Sequence, residues 1–196
     1  HTEFSLLDGA CRLEELIDTA KRYGMPYCAI TDHGNMFGVI DFYEKAVKKG
    51  LKPIIGCEIY VAPESRFDKT SHGIKGASYH LVLLAKNLTG YKNLLEIVSL
   101  GYLEGFYYKP RVDKEILARC SKGLIAMSAC MKGEVAHFLL SDQWEQARKS
   151  AAEYAGIFGK DNFYLEIQDN RIEEQYRLNS SMIKLARELD LPLVAT

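Results

Sequence analysis

The amino-acid sequence predicts an α/β fold, a closed or nearly closed barrel of seven strand–helix units of the TIM-like kind. Three observations carry this expectation. Short apolar runs of strand length alternate strictly with helical patterns along the chain. No Gly-rich nucleotide-binding turn follows any of those runs, which disfavours a doubly wound sheet. Apolar strands also give way repeatedly to a metal-capable side chain, and a barrel would gather such strand ends at one face.

The elements follow in order. Residues 1–10 read as the exit of a first strand ending at His1, with Asp8-Gly9 as a turn signal. A helix is expected over 12–23, where Leu13, Leu16, Ile17 and Ala20 share a face and Gly24 stops it. The run 27–30 is a buried strand that ends in Asp32, His33 and Gly34. Asn35 is placed to cap the next helix, which carries Phe37, Ile40, Phe42, Tyr43 and Val47 and closes at Lys48-Lys49-Gly50. Residues 52–62 form a β-branched strand interrupted by Gly56, Cys57 and Glu58, and 63–78 a polar rim loop. A strand starting Tyr79-His80 runs to 86, a helix follows over 89–103, and a short helix spans 113–120. Strand 124–129 ends at Cys130; helices 133–140 and 143–158, strand 163–168, helix 172–189 and strand 193–196 complete the alternation.

Composition narrows the class. A hydrophobic content of 47% over 196 residues suits one soluble domain. A net charge of −1 argues against a free-standing nucleic-acid grip, but not against a site that handles nucleic acid with metals and a few local cations. Five cysteines at irregular spacing fit a reduced cytoplasmic protein better than a disulfide scaffold. No apolar run reaches the ~18 residues of a membrane helix, so no membrane partner is expected. The chain opens at His1 without a methionine and closes on an unfinished strand, so both ends are expected to be cuts within a longer, multidomain polypeptide.

The metal-capable residues at strand ends are His1, Asp8, Asp32, His33, Glu58, His80 and Cys130. Imidazole, carboxylate and thiolate together suit zinc, with manganese or iron where oxygen and nitrogen dominate. Clustered ions of this kind clamp phosphate and acidify water, which points to hydrolysis of a phosphate ester. Each residue also has a plainer reading. His80 could be a packed core histidine, Cys130 a small buried hydrophobe, Asp8 a turn former and Asp32-His33 a helix cap. Glu58 is hardest to dismiss, because a carboxylate inside an apolar strand needs a partner. Their joint occurrence at successive strand ends favours chemistry. His72, in a polar loop, and His137, in a helix, read as structural. Phe106 to Arg111 interleaves aromatics with two cations, the combination that stacks bases and holds phosphates, or else an ordinary loop.

Four stretches now carry a resemblance: His-Thr-Glu-Phe-Ser-Leu-Leu-Asp-Gly at 1–9, Ile-Thr-Asp-His-Gly-Asn-Met-Phe-Gly at 30–38, Lys-Pro-Ile-Ile-Gly-Cys-Glu at 52–58 and Phe-Tyr-Tyr-Lys-Pro-Arg at 106–111. Through them the chain resembles the PHP (polymerase and histidinol phosphatase) family, in the branch that forms the N-terminal domain of bacterial DNA polymerase III alpha subunits. The resemblance implies a distorted seven-stranded (β/α)7 TIM-like barrel over residues 1–196. It implies metal ligands at His1, Asp8, His33, Glu58, His80 and Cys130, with Asp32 orienting its neighbours from behind. Asp8, His33 and Glu58 would be catalytic, and Lys109 and Arg111 are expected to contact phosphate. The implied cofactors are two to three divalent ions, zinc and/or manganese with iron as an alternative, and magnesium for a polymerase domain outside these residues. Three further ligands are expected beyond the two ends, leaving Glu58, His80 and Cys130 as the one complete set. The implied activity is 3′–5′ exonuclease action on a DNA primer end, within a replicative polymerase whose other domains and subunits are its partners. A non-catalytic metal-bound docking module and a free-standing PHP phosphatase, such as a histidinol phosphatase, are the alternatives.

Overall fold

The computed structural model describes residues 1–6, 8–70 and 78–196; His72 lies outside them. Among the described residues there are seven α-helices and seven strands, and their order is close to the expected alternation. The strands are β1 (Tyr27–Ile30), β2 (Lys52–Val61), β3 (Tyr79–Ala85), β4 (Arg111–Val112), β5 (Leu124–Met127), β6 (Phe163–Ile167) and β7 (Leu193–Ala195). The helices are α1 (Leu13–Arg22), α2 (Val39–Lys48), α3 (Leu88–Leu103), α4 (Lys114–Cys120), α5 (Glu134–Leu140), α6 (Trp144–Phe158) and α7 (Glu173–Leu189).

Strand alternation sorts the chemistry from the core. Cys57, Ile59 and Val61 of β2, Leu81 and Leu83 of β3, Leu124 and Ala126 of β5, and Phe163 and Leu165 of β6 all enter the main apolar cluster with the helices. Their neighbours Glu58, Tyr60, His80, Met127, Tyr164 and Glu166 therefore occupy the opposite face of the sheet. A smaller cluster joins α1 and α2 to Ile30 of β1. In α1 the buried stripe is Leu13, Ile17 and Ala20, with Glu14 and Glu15 at its positive end and Lys21 and Arg22 at its negative end.

The sheet corrects the expected barrel in two ways. Its order is β1-β2-β3-β5-β6-β7, with β4 paired to β2 off that path, and it curls into a half-barrel instead of a closed parallel barrel. β3 runs antiparallel to both β2 and β5, while the other pairings are parallel. At the start of the chain Thr2 makes an isolated bridge to Cys11. The seventh described strand is the two-residue β4, registered as Tyr60↔Arg111 and Val61↔Val112. Helix α2 begins after Gly38, not at Asn35. The Asn35 amide donates to the Phe4 and His33 carbonyls, at 3.0 and 3.1 Å, and so braces the site loop.

One close approach makes a testable demand. The Asn87 side chain caps α3 by accepting from Gly90 N at 3.0 Å. A Cβ on Gly90 would lie 1.8 Å from the Gly123 carbonyl oxygen, which is backbone and cannot rotate away. Gly90→Ala is expected to cost at least ~2 kcal/mol and to lower the melting temperature by about 4–8 °C, measured by calorimetry.

Candidate metal centre

The parallel ladder between β1 and β2 continues beyond Ile30 and positions the first half of the site. Glu58 N donates to the Asp32 carbonyl at 3.0 Å, and Gly34 N donates to the Glu58 carbonyl at 2.8 Å. His33 is thereby bridged to Glu58. His80 opens β3, and because β3 is reversed, its start lies level with the C-terminal ends of the parallel strands. The register pairs Tyr60 with His80, and His80 N donates to the Lys132 carbonyl at 3.0 Å. Cys130 follows β5 directly.

Glu58 is the hub. It is 4% exposed, and its Oε1 lies 2.7 Å from His33 Nδ1 and 2.5 Å from His80 Nδ1, while His1 Nε2 stands 3.6 Å from Oε2. Burial works to push the Glu58 carboxyl up, but the two nearby imidazoles overcome this and hold it at about 2. The His33–Glu58 separation is that of an ion pair, yet the angles do not make a hydrogen bond, and both atoms are otherwise buried without one. Ring nitrogens converging on one carboxylate oxygen without hydrogen-bond alignment are arranged as donors to a common cation would be.

Two groups of three potential ligand atoms result, His1-His33-Glu58 and Glu58-His80-Cys130, each with all atoms within 4.8 Å of one another. Nitrogen, oxygen and sulfur donors in these numbers fit a divalent transition ion. Asp8 belongs to neither group, but its Oδ2 lies 2.9 Å from His33 Nε2, so it extends the first group outward. The His1 ring stacks on His33 at 3.9 Å between centroids. Cys130 Sγ is 3.8 Å from His80 Nδ1, and burial raises its thiol pKa.

Asp32 holds this arrangement from behind. Its carboxylate accepts from Thr2 N at 2.5 Å, Thr2 Oγ1 at 2.8 Å and Ser5 Oγ at 2.6 Å, and Ser5 Oγ in turn accepts from His33 N at 3.1 Å. The segment carrying His1 is thus fastened to the strand carrying His33.

The two cations expected to meet phosphate separate sharply. Lys109 Nζ stands over the Tyr60 ring at 4.2 Å, and that ring lies 5.2 Å from His80 and 6.3 Å from His33. Arg111 is 2% exposed and turns inward, donating to the carbonyls of Gly105 at 3.2 Å, Arg66 at 3.4 Å and Asp68 at 2.7 Å. The buried Arg111 guanidinium is thus turned to the backbone around it, and Lys109 is the cation that stands beside the ligand groups. Tyr60 was missed in the sequence, although its place two residues beyond Glu58 on one strand puts it on the same face. Lys132, two residues after Cys130, carried no signal of its own. His137 packs its ring near Tyr79 and Phe138, in keeping with a structural part.

The metal-free protein should show the charge state of this pair in its stability. Glu58 chiefly, then Asp8, raises His33 above its ordinary 6.5 against the effect of burial. That contribution is complete below pH 6.5 and is lost as pH rises through the raised value. Glu58, depressed from 4.5 to about 2, contributes above pH 4.5 and loses its share as pH falls towards 2. Melting temperatures of chelated protein are expected to be highest between these limits and to fall on the alkaline side, and His33→Phe should remove that alkaline limb.

Comparison with known proteins agrees with the geometry. A sequence profile of the PHP domain matches residues 1–170. The DNA polymerase III subunit alpha of Treponema pallidum is 48% identical over 196 residues, and that of Thermus aquaticus 49% over 199 residues, each covering the whole of this chain. The chain spans only 17% and 16% of the length of those two curated relatives. Among solved structures, a provisionally assigned metal-dependent phosphoesterase from Bifidobacterium adolescentis matches the entire chain and 84% of its own, with a TM-score of 0.59 at 17% identity, a likeness of fold. Among the described residues no helix is long and apolar enough to cross a membrane. With its profile match, its half-barrel and its hub carboxylate between histidines, this chain belongs to the PHP domain family.

Proposed function

We propose that this chain is the PHP domain of a cytoplasmic bacterial replicative polymerase, like the alpha subunits it matches, and that the domain removes nucleotides from DNA 3′ ends. The observation that supports this best is the sharing of Glu58 between two three-residue groups, which suits paired ions on one phosphate. His1, His33 and Glu58 would hold one ion and Glu58, His80 and Cys130 another, with Asp8 beside His33 for a third; zinc or manganese, with iron as an alternative, suits these donors. When bound, such ions polarise the phosphodiester, acidify water and stabilise the leaving oxygen.

The residues divide the remaining work. Glu58 fixes His33 and His80 in orientation, and Asp32 fixes the segment that carries His1. Asp8, with its side chain largely exposed, stands at the mouth of the site where it can accept the proton of the attacking water. Lys109 offers its ammonium to the phosphate. Water oxygen bonds to phosphorus, the bond to O3′ breaks, and that oxygen leaves with a proton, giving a mononucleotide and a strand shortened by one. Partners are a DNA primer end, the remaining domains of the polymerase with their own magnesium, and other replicase subunits.

The test uses the full-length polymerase and a labelled primer with a 3′ mismatch, with zinc or manganese. Mismatch removal should be lost in Asp8→Asn and His33→Ala while polymerisation survives. A metal-loaded, contaminant-free wild type that leaves the primer intact would sink the exonuclease reading. A second reading, a metal-stabilised docking module, is favoured by an apolar groove of about 470 Å³ on the outer surface, lined by Ile40, Tyr43, Pro53, Leu88 and Tyr91. It predicts a lower melting temperature on chelation with no mismatch removal under any metal.

A further inference from the structure

We propose that the turn from Phe106 to Lys109, together with Lys132, is a seat for the 3′-terminal nucleotide: the Phe106 and Tyr108 rings receive the base, and the two lysines receive its phosphate. This rests on the exonuclease reading and gives that site a preference for a nucleotide bearing a base over a small phosphate ester.

The turn borders the site. Lys109 lies over Tyr60, the ring that flanks His33 and His80. Pro110 closes on the loop after His33, since a Cβ on Gly34 would be 3.0 Å from Pro110 Cγ and 2.9 Å from the Tyr60 ring. The turn is also held rigidly from below. Arg111 donates to the Gly105 carbonyl and sits 5.0 Å under the Tyr107 ring, and Tyr107 N donates to the Lys109 carbonyl at 3.1 Å. Tyr108 at the apex has φ +59, a left-handed conformation that a bulky aromatic adopts only where its surroundings impose it.

What this framework presents outward is unusual for a site rim. Tyr108 is 55% and Phe106 50% exposed, with Tyr108 edge-on to Tyr107 at 4.4 Å and Phe106 stacked on Tyr102 at 6.2 Å, so each ring keeps about half its surface open on the turn that carries Lys109. Among the described residues, neither Lys109 nor Lys132 makes an ion pair. Both stand at the same centre: Lys109 lies over the Tyr60 ring, and the Lys132 carbonyl accepts from His80 N at 3.0 Å. Two unpaired ammonium groups beside exposed aromatic rings complement a nucleotide, which offers an anion and a flat base together. An apolar protein partner would satisfy the rings and strand the lysines.

The occupant can be located without hydrolysis. An oligothymidylate carrying 5-iododeoxyuridine at its 3′ end, with a phosphorothioate terminal linkage, is irradiated with the chelated full-length polymerase, and cross-linked peptides are mapped. Cross-links at Phe106 or Tyr108 are expected. Tyr108→Gly, which relieves the positive φ, should leave the melting temperature unchanged, raise KM for 3′-nucleotide release about 5- to 100-fold and leave kcat nearly constant. Tyr108→Trp should restore KM, and Lys132→Ala should flatten the salt dependence of binding by about one charge. If the loaded polymerase trims 3′ ends but no cross-link falls between residues 105 and 110, the seat is wrong and the exonuclease reading stands. Cross-links without trimming under any metal would keep the seat and remove the exonuclease. A drop in the melting temperature of Tyr108→Gly within the full chain, with no cross-link, would mean that another part of the protein covers the rings, and would overturn the proposal.

Discussion

Glu58→Gln is expected to dismantle both ligand groups with one substitution, and so to have the largest effect on metal content of any single change in the domain. His33 and His80 both meet Oε1 of this carboxylate, His1 stands nearest Oε2, and the residue is a member of both groups. The amide keeps the shape but loses the charge and presents one acceptor atom where the carboxylate presented two. Loss of a partner that merely orients a ligand already costs 10–100-fold in metal affinity, so loss of the shared ligand itself is expected to cost at least ~100-fold. Elemental analysis of the washed full-length protein should find two to three ions for the wild type, counted beyond any polymerase-site magnesium, and fewer than one for Glu58→Gln. Cys130→Ser touches only one group and should reduce the count by about one. Stability supplies an independent reading, because a ligand bound only to the folded state raises the melting point. The gap between loaded and chelated wild type should collapse in Glu58→Gln. Equal ion counts in the variant and wild type would remove Glu58 from the centre.

Glu58 was legible in the sequence for a reason that does not extend to every residue around it. A carboxylate flanked by Ile54, Ile55, Ile59 and Val61 contradicts its own strand, and contradictions of that kind point to function. His33 and Cys130 were legible by position, each after an apolar run. His80 was picked out by the same rule for the wrong reason. It stands at the start of its strand and not at the end, and only the reversal of β3 brings it level with the others. Strand direction depends on how a connection packs, and the continuous apolar run of Leu81 to Leu84 reads the same in either direction. Closure of the sheet was out of reach for a similar reason, since pairing partners are long-range and no local pattern records them. Lys109 and Arg111 show the limit most clearly. Both are cations in one short aromatic segment, and nothing local distinguishes them; Lys109 stands on the turn over Tyr60, whereas Arg111 opens β4 and is buried. Arg66, buried and paired with Asp113, Glu104 and Glu115, lies in a stretch whose polarity read as a solvated loop.

Arg111 therefore supports a stability prediction and not a binding one. It is the largest of the fully buried side chains, and burial lowers its guanidinium pKa. Arg111→Met removes the donors to the Gly105, Arg66 and Asp68 carbonyls, and each buried acceptor left unmet costs about 1–3 kcal/mol. Since neighbouring losses are not additive and the loop can relax, the net cost is expected to be about 3–5 kcal/mol. For a domain of this size that corresponds to a fall of roughly 6–20 °C in melting temperature. Arg111→Lys keeps the charge and should rescue little, because one ammonium cannot reproduce the planar fork that reaches three separate carbonyls. The phosphate role first expected of Arg111 gives the opposite pattern: Lys would retain much of the function, melting would scarcely move, and only the salt dependence of DNA binding would change. A double substitution with Arg66→Met locates the loss further. Arg66 lends its carbonyl to Arg111 and its guanidinium to Asp113, the N-cap of α4. The pair should couple by about 0.5–3 kcal/mol, as residues of one network do. Simple additivity, or an Arg111→Lys variant that melts like the wild type, would show that the guanidinium does not fasten the rim from below.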